Sequence, residues 1–180
     1  MVGRLIGVVG PSGVGKDSVM RALAQARPEL ALVRRTITRA PESGGEDYEA
    51  VSEAEFQRRA DAGEFCLQWR AHGLSYGIPA DVQQRVATGQ EVLVNLSRGV
   101  LSAAQAQFPD ILILNITARP KTLAARLRGR GREDAAQIAG RLSRDAGLFP
   151  AGLKVAQIDN DGPLDHAVRQ ALLALYPVRA

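Results

Sequence analysis

Apolar runs broken by glycine set the rhythm of this chain. Leu5-Ile6-Gly7-Val8-Val9 is apolar without alternation, the pattern of a strand buried on both faces in a parallel sheet. A glycine-rich turn follows it, and residues 18–25 predict a helix that stops before Pro28. The same order recurs: the run 91–95 precedes a helix over 100–107, and 111–117 precedes one over 120–128. Serial strand-then-helix units predict an α/β fold, a parallel sheet covered by helices. Right-handed crossovers would gather the carboxyl ends of its strands on one edge, where ligands bind.

The stretch from 34 to 78 breaks that rhythm. It contains a Pro/Gly-rich segment (40–45), a short strand at 48–51 and a helix opened by the capping pattern Ser52-x-x-Glu55. Residues 65–69 and 74–76 then predict two strands joined through His72-Gly73. These features describe an inserted lobe and not a strand–helix–strand unit. Beyond it, 79–88 predicts a helix closed by Gly89, 157–159 a last short strand, and 163–176 a final helix with Pro163 in its first turn.

The first glycine-rich turn carries the chemistry. Gly10-Pro11-Ser12-Gly13-Val14-Gly15-Lys16-Asp17-Ser18 follows a buried strand and opens a helix, the context in which G-x-x-x-x-G-K binds phosphate. Glycines let backbone N–H groups converge on phosphate oxygens, the helix N-terminus adds partial positive charge, and Lys16 reaches the β- and γ-phosphates of ATP. The residue after the lysine is Asp17, where Ser or Thr ordinarily ligates Mg²⁺. Either Asp17 takes the ion, as carboxylates do, or Ser18 does. Helix geometry turns Ser18 by ~100° from that position and favours Asp17.

Composition narrows the function classes. The chain has 180 residues, 46% of them hydrophobic and 23% charged, which is enough for a substantial core and unlike a disordered chain. No apolar run approaches the ~20 residues of a membrane span, and Cys66 is the sole cysteine, so a cytoplasmic, disulfide-free protein is expected. The net charge of +4 raises the question of nucleic acid. Of 23 basic residues only Lys16, Lys121 and Lys154 are lysines, and no aromatics interleave the arginine cluster between 126 and 144. Arginine's planar fork suits discrete phosphate contacts, so the expected partner is a small phosphorylated molecule, with no nucleic acid and no membrane. The oligomeric state is not legible.

With these residues in place, the sequence resembles the guanylate kinase family over nearly its whole length. The resemblance rests on the phosphate loop, Thr38-Arg39-Ala40-Pro41, Asp47-Tyr48, Val51-Ser52 with Glu55-Phe56, Gly63-Glu64-Phe65, Tyr76-Gly77, Arg126 to Gly131, Arg141-Leu142 and Asn160-Asp161. It implies a P-loop kinase fold in one domain over 1–180, with an acceptor-binding lobe at 36–78 and an Arg-rich lid at 126–145 closing over ATP. Lys16, Arg130 and Arg141 would then be catalytic. Arg126 would contact the nucleotide, and Asn160 its adenine or ribose. Arg35, Arg39 and Arg98, with Tyr48 and Tyr76, would serve the acceptor. For Arg126, Arg130, Arg132, Arg141 and Arg144 the plain alternative is a solvated helical face; for the two tyrosines it is core packing.

Departures from the family pattern bear on the acceptor. Where guanylate kinases read guanine with a carboxylate this chain has Leu67, where they place a second phosphate-binding arginine it has Glu42, and their Asp-x-Asp becomes Asn95-Leu96-Ser97. An apolar group facing guanine's N–H donors would leave them unpaired, so GMP is not the expected acceptor. Gly15-Lys16-Asp17-Ser18, Tyr76-Gly77 after His72-Gly73-Leu74, the 92–98 segment and Gly129-Arg130-Gly131-Arg132-Glu133 resemble instead the branch of this superfamily that phosphorylates ribose 1,5-bisphosphate. An acceptor phosphate is already anionic at neutral pH, so no catalytic base is required; ATP, Mg²⁺, Lys16 and arginines suffice.

Overall fold

The computed structural model describes residues 3–41, 45–129 and 148–177. Their first strand, β1 (Arg4–Val9), lies at the centre of a five-stranded parallel sheet. Around it run β2 (Ala31–Leu32), β7 (Glu91–Asn95), β8 (Leu112–Thr117) and β9 (Lys154–Asp159), in the order β2-β7-β1-β8-β9. Every pairing is parallel, so all five carboxyl ends open on one edge.

The unbroken apolar runs are explained by burial on two sides. Leu5, Val9, Val92, Val94 and Ile113 enter one core, while Ile6, Val8, Leu93, Leu114 and Ile116 enter the other. Successive strand residues point to opposite faces, so a run with both parities apolar demands cover on both. That cover comes from α1 (Lys16–Ala26) and α6 (Leu164–Leu175), through Val19, Leu23, Ala167 and Ala171, on the second core. The first core takes α3 (Asp81–Ala87) and α4 (Leu101–Gln107), through Val82, Leu101 and Ala104. Each fully buried Leu or Ile contributes roughly 1.5–3 kcal/mol of transfer free energy. A helix α5 (Pro120–Gly129) follows β8.

The inserted stretch forms a second sheet. Its strands are β3 (Arg35–Ile37), β4 (Tyr48–Ala50), β5 (Phe65–Ala71) and β6 (Leu74–Pro79), in the order β4-β3-β6-β5. The β5–β6 hairpin turns on His72 and Gly73, at φ 53 and 74, the left-handed pair a two-residue hairpin loop requires. Helix α2 (Glu53–Asp61) starts at Ser52, whose Oγ accepts from the Glu55 amide at 3.1 Å. Only half of the capping box forms, because the Glu55 carboxylate is engaged by Arg58 and Arg59 instead.

Four elements differ from the pattern-based expectation. Strands β2 and β3, at two and three residues, are too short to show a period, and β3 contains the buried polar pair Arg35 and Thr36. Strand β9 begins at Lys154, three residues before its expected start, because at the sheet edge only Ile158 is fully buried and no apolar run marks the strand. The helix expected from Pro79 begins at Asp81, since Pro79 still pairs with Phe65 in the hairpin. Among the described residues no helix is long and apolar enough to cross a membrane.

Candidate active site

The glycine-rich loop leaves the carboxyl end of β1 and turns directly into α1. Gly15 sits at the helix N-cap with φ 95, and a Cβ there would lie 2.6 Å from the Asn160 amide nitrogen, so both backbone and space require glycine. Lys16, the first helical residue, folds back across the loop and donates from Nζ to the carbonyl oxygens of Gly10 at 2.7 Å and Pro11 at 3.3 Å. Its ammonium is thereby held at the mouth of the loop, where phosphate oxygens approach the helix N-terminus.

The loop is pinned from behind by the far end of the chain. Asn160, just past β9, donates from Nδ2 to the Val14 carbonyl at 2.8 Å. Arg126, on α5, donates to the same carbonyl at 3.2 Å and to the Asn160 carbonyl at 2.8 Å. Asn160 is 5% exposed. The two residues expected at the nucleotide therefore meet one another and the loop backbone.

In front of the loop lies a cleft of about 560 Å³. One wall is the loop itself, with Gly10, Ser12, Gly13, Gly15, Lys16, Asp17, Ser18 and also Arg21. Arg35, Arg39, Glu46, His72 and Tyr76 of the inserted lobe face it. Asn95, the last residue of β7, and Leu96, Ser97 and Arg98 just beyond it also line the cleft. Pro11 and Val14 belong to the loop but do not line the cleft; Val14 is instead buried in the core. Tyr48 also stands outside the lining: its hydroxyl donates to the Ala40 carbonyl at 2.6 Å, and its ring lies 4.4 Å from the Arg39 guanidinium carbon. It supports the arginine that reaches the cleft.

Asp17 projects from the first turn of α1 into this cleft. Burial, and next the negative charge of Glu46, push its carboxyl above the ordinary aspartate range, against the opposing charges of Lys16, Arg35 and Arg21. A divalent cation bound beside this carboxylate would restore its charged form.

On the lobe side, Arg35 is nearly buried and forms a fork-to-fork pair with Glu46, its Nε donating to Oε1 at 2.5 Å and its Nη2 to Oε2. The guanidinium also stands 5.0 Å from the Tyr76 ring centre. Tyr76 stacks on Trp69 at 5.2 Å with 6° between the planes. Trp69 Nε1 donates to Ser97 Oγ at 2.9 Å, tying the lobe to the segment after β7. Arg98 donates to Asn115 Oδ1 at 3.4 Å and packs over Phe149 at 4.5 Å.

Leu67, expected to face the acceptor, is instead turned into the core beside Cys66 and Ile78, 3% exposed and outside the cleft lining, because the β5–β6 sheet packs that face against the first core. Burial raises the Cys66 thiol to about 11, so it stays protonated, as an inert core cysteine does. Arg130 and Arg141, with Glu42, Arg132, Arg144 and most of the 126–145 segment, lie outside the described residues.

Sequence reasoning missed Glu46, Arg21 and the role of Trp69. Glu46 follows two glycines and reads as loop; nothing local announces that it will meet Arg35, 11 positions away.

Comparison with known proteins now decides the family. The guanylate kinase family model matches residues 2–152. The chain belongs to the guanylate kinase family. It is 54% identical to the ribose 1,5-bisphosphate phosphokinase PhnN of Ruegeria sp., over 99% of this chain and 94% of that one. To the PhnN of Pseudomonas paraeruginosa it is 48% identical, over 97% and 95%. Among solved structures it superposes on the guanylate kinase of Anaplasma phagocytophilum with a TM-score of 0.67 at 19% identity, over 99% of this chain and 88% of that one, a likeness of fold. Within the family the chain thus groups with the PhnN proteins, and the α/β architecture expected from its strand-then-helix order, with the guanylate kinase-like fold that the resemblance implied, is the one observed.

Proposed function

We propose that the protein transfers the γ-phosphoryl group of ATP to the 1-phosphate of ribose 1,5-bisphosphate, forming 5-phospho-α-D-ribosyl 1-diphosphate and ADP. An oxygen of the acceptor's 1-phosphate attacks the γ-phosphorus as the bond to the β,γ-bridging oxygen breaks, and that oxygen leaves on ADP. No proton moves from carbon or alcohol, so the protein positions the groups and offsets charge.

The observation that carries this reading is the composition of the cleft. A phosphate loop faces a lobe whose cleft residues include Arg35 and Arg39, while the position that would read guanine is Leu67, buried in the core. The names of the PhnN relatives point the same way. The loop backbone and Lys16 would hold the β- and γ-phosphates. Arg126 and Asn160 would fix the loop's shape from behind, and Arg39 and Arg98 would take acceptor phosphates, with Tyr48 and Tyr76 supporting the lobe. Asp17 is the residue fitted to hold Mg²⁺. When bound, the ion offsets negative charge that gathers on the transferring phosphoryl group. Arg130 and Arg141 would add cationic charge from the lid.

The test is turnover of ribose 1,5-bisphosphate and GMP side by side with ATP and Mg²⁺. Ribose 1,5-bisphosphate is expected to be the preferred acceptor. Preference for GMP would overturn the proposal.

A further inference from the structure

A cleft built for two phosphorylated substrates contains a carboxylate that repels them. Glu46 lines it with its side chain only 15% exposed, and no part of the phosphate-transfer chemistry calls for it. Its charge is balanced by Arg35, whose own side chain is 7% exposed. The pair forms a nearly neutral unit within the cleft. A neutral unit of this kind suits the uncharged part of an acceptor.

We infer that Glu46 reads the ribose 2- and 3-hydroxyls of the acceptor, and so selects a ribosyl over a deoxyribosyl phosphate. The inference rests on the proposed function above. An ionised carboxylate offers about four lone-pair positions and no donor, so it recognises groups that donate. Arg35 occupies one position on each oxygen. Oε1 accepts from no other described group, and Oε2 has only a 3.4 Å contact from Asn95 Nδ2, which a closer hydroxyl displaces. A free position thus remains on each oxygen, and a vicinal diol presents two O–H donors side by side.

The surroundings hold the carboxylate in place for that task. The Arg35 fork fixes its plane, the Tyr76 ring packs 5.0 Å from the guanidinium carbon, and Trp69 backs Tyr76 through its stack. Glu46 is then a specificity residue that touches substrate, and Arg35 a positioning residue that acts through it. A hydrogen bond from a substrate hydroxyl to a charged group, lost on removing the hydroxyl, lowers kcat/KM by about 10- to 100-fold.

The experiment measures kcat/KM for ribose 1,5-bisphosphate and its 2-deoxy analogue with wild type, Glu46→Gln and Glu46→Ala, with thermal melts to confirm folding. The wild type is expected to prefer the ribose compound by about 10- to 100-fold. Glu46→Gln should cut that preference at least threefold, and Glu46→Ala should bring it near one. Equal losses on both acceptors, with the preference intact, would overturn the inference and leave Glu46 a purely structural partner of Arg35. An intact preference with a raised Mg²⁺ requirement would also overturn it, in favour of a metal ligand. Wild-type turnover without discrimination sinks the inference alone; absence of turnover on ribose 1,5-bisphosphate sinks the proposed function and the inference with it.

Discussion

Replacing Asn160 with alanine separates a loop-shaping role from direct contact with the nucleotide base. The side chain is buried and donates at 2.8 Å to the Val14 carbonyl inside the phosphate loop. Truncation strands that carbonyl except for the Arg126 bond at 3.2 Å. Leaving a buried acceptor short of its partner costs about 1–3 kcal/mol, and the surviving arginine bond holds the cost to about 1–2 kcal/mol. With a urea slope of about 2 kcal/mol/M, the unfolding midpoint should fall by about 0.5–1 M. The same energy, where it is expressed as a misshapen loop, raises the KM for ATP by roughly 5- to 30-fold. Because the loop reads phosphates and not the base, the ratio of ATP to GTP use should stay constant, and the acceptor KM should move far less. Urea titration and steady-state kinetics with both nucleotides are the measurements. An unchanged unfolding midpoint together with an altered ATP-to-GTP ratio would refute the reasoning and place Asn160 on the base.

Other consequences follow from named contacts. Lys16→Ala removes the ammonium held over the loop by the Gly10 and Pro11 carbonyls, and turnover should fall by about 10²–10³-fold with a melting temperature within a few degrees of wild type, checked by kinetics and calorimetry. Asp17→Asn should raise the Mg²⁺ concentration for half-maximal rate several-fold, and an unaltered Mg²⁺ titration would exclude Asp17 as a ligand. At the opposite edge of the sheet, Tyr176 donates to Glu91 at 2.5 Å; burial first, then Glu91, push the phenol to about 12. Because the fold raises this pKa, its stabilisation is whole below pH ~10, where the unfolded phenol titrates, and is lost as pH climbs through about 12. Tyr176→Phe should cost about 1 kcal/mol at pH 8 and flatten the alkaline fall in stability between those values, as read by urea unfolding across the pH range.

Features whose residues are contiguous in the chain are legible in the chain. The phosphate loop is nine neighbouring residues, and its function follows from a strand, a turn and a helix that any reader of the chain can see. The parallel sheet follows from apolar runs with both parities filled, and the hairpin from His72-Gly73. Strands β2 and β3 escaped because two or three residues show no period, and packing rather than propensity makes them strands. Which residues meet across the site emerges from the packing of the two sheets. Asn160 reaches Val14 over 146 positions, Trp69 reaches Ser97 over 28, and Arg35 closes on Glu46 over 11. Such pairs leave no local signature, because a hydrogen bond depends on distance in space, and only the packed sheets bring those atoms together. Glu46 therefore reads as a loop residue in the chain and becomes the half-buried partner of Arg35 in the cleft of the fold.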